Sequence, residues 1–196
     1  FLLVAGALGG SVAVSGLELD SGQGDRKILE ALEACGAHLS IDSSSSDEAS
    51  CKTGKRNSAV INVEKSILHA FTFDATDCPD LFPPLVVLAC ACEGLTRIKG
   101  VSRLSHKESN RAKVLSEEFS KLGADISING DWMEIGRSRL SSGIVDPHHD
   151  HRIAMAAAIA GIIADGVILI KDSACVSKSY PSFFDDFRKL GGKVHE

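Results

Sequence analysis

Four short polar segments carry the side chains of this sequence that could do chemistry: residues 77–80, 105–111, 146–152 and 177–181. Each contains ionisable residues and lies at or just before the start of a predicted helix. Exposed backbone N–H groups and the helix dipole favour anions at a helix N-terminus. We therefore predict that these segments bind a negatively charged ligand, with carboxylates close by for proton transfer.

The candidate anion ligands are four cations: Lys107, Arg111, Arg152 and Lys178. Lys107 and Arg111 are four residues apart, and on one helical face such like charges destabilise by about 0.2–0.5 kcal/mol unless an anion lies between them. Arg152 offers a planar fork that suits phosphate or carboxylate groups. Lys178 alone resembles an ordinary surface charge, but it occupies the same strand-to-helix connection of a sequence repeat as Lys107. The repeat predicts that all four surround one cleft.

Two carboxylates accompany these cations. Asp80 precedes a predicted helix over 81–93, and its simplest alternative role is that of a plain N-cap. Glu108 lies next to two cations, which suits a carboxylate that transfers protons beside bound negative charge. The alternative for Glu108 is a capping box with Ser105, because the two have the required S-x-x-E spacing.

The segment 146–152 contains three histidines and two aspartates, which raises the possibility of zinc. Zinc ligands are usually separated along the chain, and no Cys or Glu-x-x-His partner stands nearby. We favour the other interpretation, in which Asp150 is an N-cap and His151 and Arg152 project over an anion at the helix start. No metal is predicted.

The elements that must position these residues follow from an internal repeat. Residues 1–16 match residues 85–100 at an offset of 84, and 157–172 follow at a further 72. Each copy predicts an Ala-rich buried helix, a glycine that stops it and a short β-branched strand. The predicted stops and strands are Gly10 with 12–14, Gly94 with 96–98, and Gly166 with 167–170.

A second, amphipathic helix follows in every copy and ends at a glycine C-cap. The three caps are Gly36, Gly123 and Gly191. After the middle cap, strands 124–128 and 132–135 flank Asn129-Gly130, a strong hairpin signal. The equivalent first-copy strands are 37–41 and 49–53, which makes the serines at 43–46 a hairpin tip; the alternative is an interdomain linker.

Length and composition bound the remaining possibilities. The chain has 196 residues, 44% of them hydrophobic, which suits one globular domain. Its net charge of -5 gives no overall electrostatic attraction to nucleic acid or to a membrane surface. Six cysteines without framework spacing favour a reduced, cytoplasmic compartment. The repeat units, at about 1–68, 69–145 and 146–196, are incomplete at both chain ends, so we expect a longer parent chain. No nucleotide-cofactor motif or G-x-S-x-G elbow is present.

The sequence resembles the 5-enolpyruvylshikimate-3-phosphate synthase family, the 3-phosphoshikimate 1-carboxyvinyltransferases inhibited by glyphosate. The resemblance rests on residues 23–25, 79–80, 107–111, 150–155 and 178–184. It implies an α/β (α+β) fold: an inside-out barrel of repeated helix-strand units, with helices inside and sheets outside. It also implies that 1–196 form a single domain, the C-terminal lobe of a two-lobed enzyme whose extreme N-terminal segment completes the third unit.

The resemblance implies transfer of the enolpyruvyl group from phosphoenolpyruvate to the 5-hydroxyl of shikimate 3-phosphate, without a metal or organic cofactor. Asp80 would contact the shikimate hydroxyls and accept a proton, and Glu108 would move the proton at C3. The four cations would bind phosphoenolpyruvate with His151 beside them. The missing N-terminal lobe carries most contacts to shikimate 3-phosphate, so the isolated chain should be inactive.

This sequence departs from the family pattern at two positions. Arg103 and Ser105 differ from the residues usual in the family, so no substrate contact is assigned at 103. Two alternatives stay open on the same fold: a UDP-N-acetylglucosamine enolpyruvyltransferase and a non-catalytic binding module. Glyphosate sensitivity and oligomeric state are not predicted.

Overall fold

Three apolar helices form the centre of the fold, and β-sheets lie around them. The computed structural model describes residues 1–43, 58–105, 107 and 109–195. The α-helices in this part of the chain are α1 (Leu2–Gly9), α2 (Ile28–Ala34), α3 (Phe82–Ala91), α4 (Arg111–Lys121), α5 (His151–Ala160) and α6 (Phe183–Lys189). The strands are β1 (Ser11–Glu18), β2 (His38–Ser43), β3 (Ser58–Glu64), β4 (Thr72–Asp74), β5 (Leu95–Lys99), β6 (Asp125–Asn129), β7 (Trp132–Gly136), β8 (Ser141–Val145) and β9 (Asp165–Ile170).

The central helices are α1, α3 and α5, the first helix of each predicted repeat. Every residue of α3 from Phe82 to Cys90 is buried, which is the pattern of a helix surrounded by protein. The helix α3 packs against both α1 and α5. Alanines along α5, such as Ala154 and Ala157, are fully buried and let neighbouring elements approach closely. The interior of the fold is therefore helical, as expected.

The strands form three sheets on the outside, with orders β1-β3-β2, β4-β5-β7-β6 and β8-β9. The inner face of the middle sheet is mainly apolar and buried: Ile98, Met133 and Ile135 are inaccessible to solvent. Leu95, on the outer face of the same sheet, is 51% exposed. This arrangement confirms the α/β inside-out architecture and the three strands predicted at 12–14, 96–98 and 167–170.

Local signals predicted several boundaries correctly. The second helices α2, α4 and α6 each precede a left-handed glycine, with φ of +79° at Gly36, +94° at Gly123 and +96° at Gly191. The strands β6 and β7 form the predicted hairpin, in which Asn129 pairs with Trp132 and Gly130 has a φ of +61°. The stop at Gly166 is wrong, because α5 ends at Ala160 and Gly166 lies inside β9.

Two features of the sheets differ from the sequence prediction. The partner of β2 is β3, which begins at Ser58. The predicted tip at 43–46 is wrong at Ser43, which is the last residue of β2, whereas 44–46 and the predicted strand at 49–53 lie outside the described residues. The strands β4 and β8 were not predicted, and each pairs in parallel with the strand that follows its buried helix. No helix in the described part of the chain is long and apolar enough to cross a bilayer.

Candidate active site

The N-terminal ends of α3, α4 and α5 meet around the carboxylate of Asp80. This residue lies in a 3₁₀ turn, Pro79–Leu81, directly before α3. Its Oδ1 is 2.8 Å from Nη1 of Arg111 and 3.2 Å from Nζ of Lys107, and its Oδ2 is 2.9 Å from Nη2 of Arg152. The plain N-cap role is wrong, because the N-cap of α3 is Leu81. Asp80 instead joins cations from two other segments of the chain.

Arg111, the first residue of α4, is fully buried and bridges two carboxylates. Its Nε donates to Oδ2 of Asp150 at 2.8 Å and its Nη2 donates to Oδ1 of Asp150 at 3.3 Å, while Nη1 donates to Asp80. A buried guanidinium needs such pairing, since its desolvation is otherwise costly. The fork of Arg111 is therefore held in one orientation between α3 and α5.

Asp150 has two functions at the start of α5. As predicted, it is the N-cap, and its Oδ1 accepts from the backbone N–H of Arg152 at 3.0 Å. Its side chain is fully buried and also accepts from Ser109 Oγ at 3.2 Å. Its contact with Arg111 is not predicted by the sequence, in which only the N-cap spacing is visible.

The start of α4 differs from the sequence prediction. The helix begins at Arg111 and its N-cap is Asn110, whose side chain accepts from the backbone N–H of Lys113. A capping box at Ser105 is therefore wrong. Lys107 precedes the helix in a bend, so the prediction that it shares a helical face with Arg111 is also wrong. Both side chains nevertheless contact Asp80. Glu108 lies outside the described residues.

His151 and Arg152 are the first two residues of α5. The His151 ring is buried, and its Nε2 lies 2.9 Å from Nη1 of Arg152. Because Arg152 also contacts Asp80, its guanidinium lies between a histidine and a carboxylate. The predicted neighbourhood of His151, Arg152 and Asp80 is thus present.

Lys178 lies beside this cluster. It ends the 3₁₀ helix Ser173–Lys178, and its Nζ donates to the backbone carbonyl of His149 at 3.3 Å. The following helix begins at Phe183, two residues after the predicted start at Pro181. Lys178 therefore contacts the loop that leads into α5.

The histidines of that loop do not form a metal centre. The ring of His148 lies 3.7 Å from Glu118, whereas the ring of His149 contacts Asp172. Within the described residues, no group of three or more His, Cys, Asp or Glu side chains could hold a metal ion. The zinc alternative has no support in this part of the chain.

The electrostatics of the site favour an anionic ligand. Burial raises the pKa of Asp80, but the contacts with Arg111, Arg152 and Lys107 outweigh it and hold the pKa below its usual value. Asp80 is therefore ionised at neutral pH. Three cations face two carboxylates in this cluster, with Lys178 adjacent, so the described groups leave excess positive charge. Burial also raises the pKa of the neighbouring Cys78 thiol to about 11, which leaves it protonated.

The fold is the one found in enolpyruvyl transferases. The chain is similar to the enolpyruvyl transferase NikO of Streptomyces tendae, with a TM-score of 0.69 and 16% identity over 99% of this chain and 42% of that one, which shows the shared fold. It is also similar to a solved EPSP synthase from Acinetobacter baumannii, with a TM-score of 0.81 and 26% identity over 98% of this chain and 45% of that one.

The family follows from sequence. The chain belongs to the EPSP synthase (3-phosphoshikimate 1-carboxyvinyltransferase) family, whose model matches residues 1–187. It is 41% identical over 197 residues to the 3-phosphoshikimate 1-carboxyvinyltransferase of Clostridium novyi, covering 100% of this chain and 42% of that protein. It is 38% identical to the enzyme of that name from Methanocella arvoryzae, covering 98% of this chain and 42% of that protein. The chain thus spans less than half the length of these relatives.

Proposed function

We propose that this chain is the C-terminal lobe of a two-lobed 3-phosphoshikimate 1-carboxyvinyltransferase, and that it holds the phosphoenolpyruvate side of the active site. The observation that carries the proposal is the contact of Asp80 with Lys107, Arg111 and Arg152. The names of the relatives support the reaction. Repeat units at about 1–68, 69–145 and 146–196 form this lobe, and the other lobe supplies most contacts to shikimate 3-phosphate.

In the proposed reaction, the 5-hydroxyl oxygen of shikimate 3-phosphate adds to C2 of phosphoenolpyruvate while C3 gains a proton. The C2–O bond to phosphate then breaks, C3 loses a proton, and inorganic phosphate leaves. Lys107, Arg111, Arg152 and Lys178 bind the phosphate and carboxylate of phosphoenolpyruvate, with His151 hydrogen-bonded beside them. Fixed cations stabilise the charged adduct without reorganising. The reaction requires no metal or organic cofactor.

Asp80 is the proposed proton acceptor for the 5-hydroxyl. Its three cationic partners lower its pKa, which makes it a weak base before the ligand binds. Phosphate and carboxylate groups that bind the same cations reduce their hold on Asp80. Its pKa then rises, so Asp80 becomes a stronger base when phosphoenolpyruvate is bound.

Glu108 is the proposed group that delivers and removes the proton at C3. This role rests on the resemblance of residues 107–111 to the family motif. Its neighbours in the chain, Lys107 and Ser109, contact Asp80 and Asp150 respectively. We also propose a reduced, cytoplasmic location, in keeping with the free cysteines among the described residues.

The experiment is a phosphate-release assay on the complete two-lobed protein, with phosphoenolpyruvate and either shikimate 3-phosphate or UDP-N-acetylglucosamine as acceptor. We expect turnover with the shikimate acceptor alone. Arg152→Met should lower kcat/KM for phosphoenolpyruvate by about 100-fold or more. The matched control is Arg139→Met, which removes an arginine whose side chain is 87% exposed. Because surface substitutions have small effects, kcat/KM should change less than twofold, which corresponds to ~0.4 kcal/mol of activation free energy.

Two results would reject the proposal. Turnover with UDP-N-acetylglucosamine in place of shikimate 3-phosphate would assign the chain to the alternative transferase. Phosphoenolpyruvate binding without turnover of either acceptor would assign it to the non-catalytic class.

A further inference from the structure

Glu118 is a buried carboxylate that the proposed chemistry does not use. It lies on α4, and its side chain is 3% exposed. Its Oε2 accepts from the backbone N–H of Asp146 at 2.9 Å, and its Oε1 accepts from Nζ of Lys121 at 2.6 Å. Burial of a carboxylate is costly unless such donors compensate it. Burial raises the pKa of Glu118, but these donors and His148 outweigh it and lower the pKa, so the group is a buried anion.

The position of Glu118 on α4 relates it to Arg111. The two residues are seven apart, which places them on one face of the helix about two turns, or about 10.5 Å, from each other. Arg111 holds the carboxylate of Asp150, and Glu118 holds the backbone of Asp146. The loop 146–150 is therefore attached to α4 at both of its ends.

Between these attachments, the loop has an unfavourable backbone. His148 and His149 adopt φ values of +49° and +61°, a left-handed conformation that costs a non-glycine residue about 1–2 kcal/mol. Asp146 Oδ1 accepts from the backbone N–H of His148 at 3.0 Å. The ring of His149 contacts Asp172. A loop with two strained residues keeps this shape only while its anchors hold.

This loop sets the position of two proposed ligands of phosphoenolpyruvate. It ends at Asp150, whose side chain caps α5 at the N–H of Arg152. The carbonyl of His149 accepts from Nζ of Lys178. We propose that Glu118 is a positioning residue for phosphoenolpyruvate binding: by holding the N–H of Asp146, it fixes the loop that orients Arg152 and Lys178. This inference rests on the proposed function.

The test compares variants at two adjacent glutamates of α4 in the complete two-lobed protein. Glu118→Leu removes the acceptor, whereas Glu118→Gln keeps an oxygen for the N–H of Asp146. The matched controls are Glu117→Leu and Glu117→Gln, because Glu117 is 56% exposed and pairs with Lys113 on the surface. The KM for phosphoenolpyruvate, the KM for shikimate 3-phosphate and kcat are measured for each.

We expect Glu118→Leu to raise the KM for phosphoenolpyruvate at least tenfold (~1.4 kcal/mol) while the KM for shikimate 3-phosphate changes less than twofold. Glu118→Gln should restore the first KM to within about threefold of the wild type, since a neutral acceptor keeps the hydrogen bond. Both Glu117 variants should match the wild type. A merely structural role would instead lower kcat with both KM values unchanged, and this result would overturn the inference.

Two further arms keep the outcome decisive. If Glu118→Leu does not fold, Glu118→Ala takes its place with the same expectation, and failure of both to fold would overturn a positioning role. Inorganic phosphate is titrated into the 196-residue chain and its Glu118→Leu and Glu117→Leu variants. If the wild type binds phosphate but the complete protein lacks activity, the proposed function alone fails, and about tenfold weaker phosphate binding by Glu118→Leu still supports the inference. If the wild-type chain does not bind phosphate, the KM measurements on the complete protein decide: turnover still supports the proposed function, and an unchanged KM for phosphoenolpyruvate in Glu118→Leu overturns the inference.

Discussion

Arg111→Met tests whether the buried ion pairs hold the site together. Arg111 and Asp150 are both inaccessible to solvent, and their side chains share two hydrogen bonds. Methionine keeps an unbranched apolar stem at this position and removes the guanidinium. Asp150 then retains Ser109 Oγ and the N–H of Arg152 as hydrogen-bond donors, but it loses the cation that compensates its charge.

The expected loss follows from that unpaired charge. Removing one partner of a buried ion pair costs about 3 to 5 kcal/mol of unfolding free energy. With a urea m-value of about 2 kcal/mol/M, the unfolding midpoint should fall by about 1.5 to 2.5 M. The double variant Arg111→Met/Asp150→Asn removes the buried charge as well, so it should recover part of the loss, with a coupling of about 1 to 3 kcal/mol.

The assay is urea unfolding of the 196-residue chain at pH 7, followed by circular dichroism, for the wild type, both single variants and the double variant. Arg139→Met is the control, because that arginine pairs with Asp165 on the surface. A loss below about 1 kcal/mol for Arg111→Met, or simple additivity in the double variant, would refute the reasoning.

Two more predictions concern Gly100 and Asp80. Gly100→Ala should destabilise the chain by more than about 2 kcal/mol, against about 1 kcal/mol for the control Gly130→Ala, as measured by urea unfolding. Gly100 has a φ of +108° and an added Cβ would lie 2.8 Å from the backbone nitrogen of Thr76, whereas Gly130 faces open space; equal losses would contradict this steric account. The lowered pKa of Asp80 implies stability that is fully present above its unfolded pKa of about 3.9 and is lost as the pH falls toward the folded value. The stability difference between the wild type and Asp80→Asn should therefore shrink below about pH 4 in unfolding experiments, and a difference that grows there would contradict the charge assignment.

Much of the fold was predictable because its signals are local. Unbroken apolar sequence predicts the buried helix α3, and the Asn-Gly pair at 129–130 predicts the hairpin of β6 and β7. Glycine after an amphipathic helix predicts the end of α4 near Gly123. The strand β4 was not predicted because its three residues are too few to show the alternation of apolar and polar side chains that indicates a strand. Its formation depends on pairing with β5.

The site was predictable in its residue types more than in its contacts. The bond between Arg111 and Asp150 joins residues 39 positions apart, and nothing in either local sequence specifies the partner. The start of α4 was misplaced because Ser105 and Asn110 are both good N-cap residues, and only tertiary packing decides between them. The importance of Glu118 was not visible either, since an i, i+3 pair with Lys121 is typical of an exposed helical face.

The most direct test of the central claim is a titration of the ¹⁵N-labelled chain with phosphoenolpyruvate, followed by NMR. The claim is that cations from separate segments form one anion site at the N-termini of α3, α4 and α5. It predicts saturable shifts for the amides of Lys107, Arg111 and Arg152, and their loss in Arg152→Met. Saturable shifts confined to another surface, such as the cleft lined by Gln23 and Arg26 beside α2, or no saturable shift at all, would contradict it.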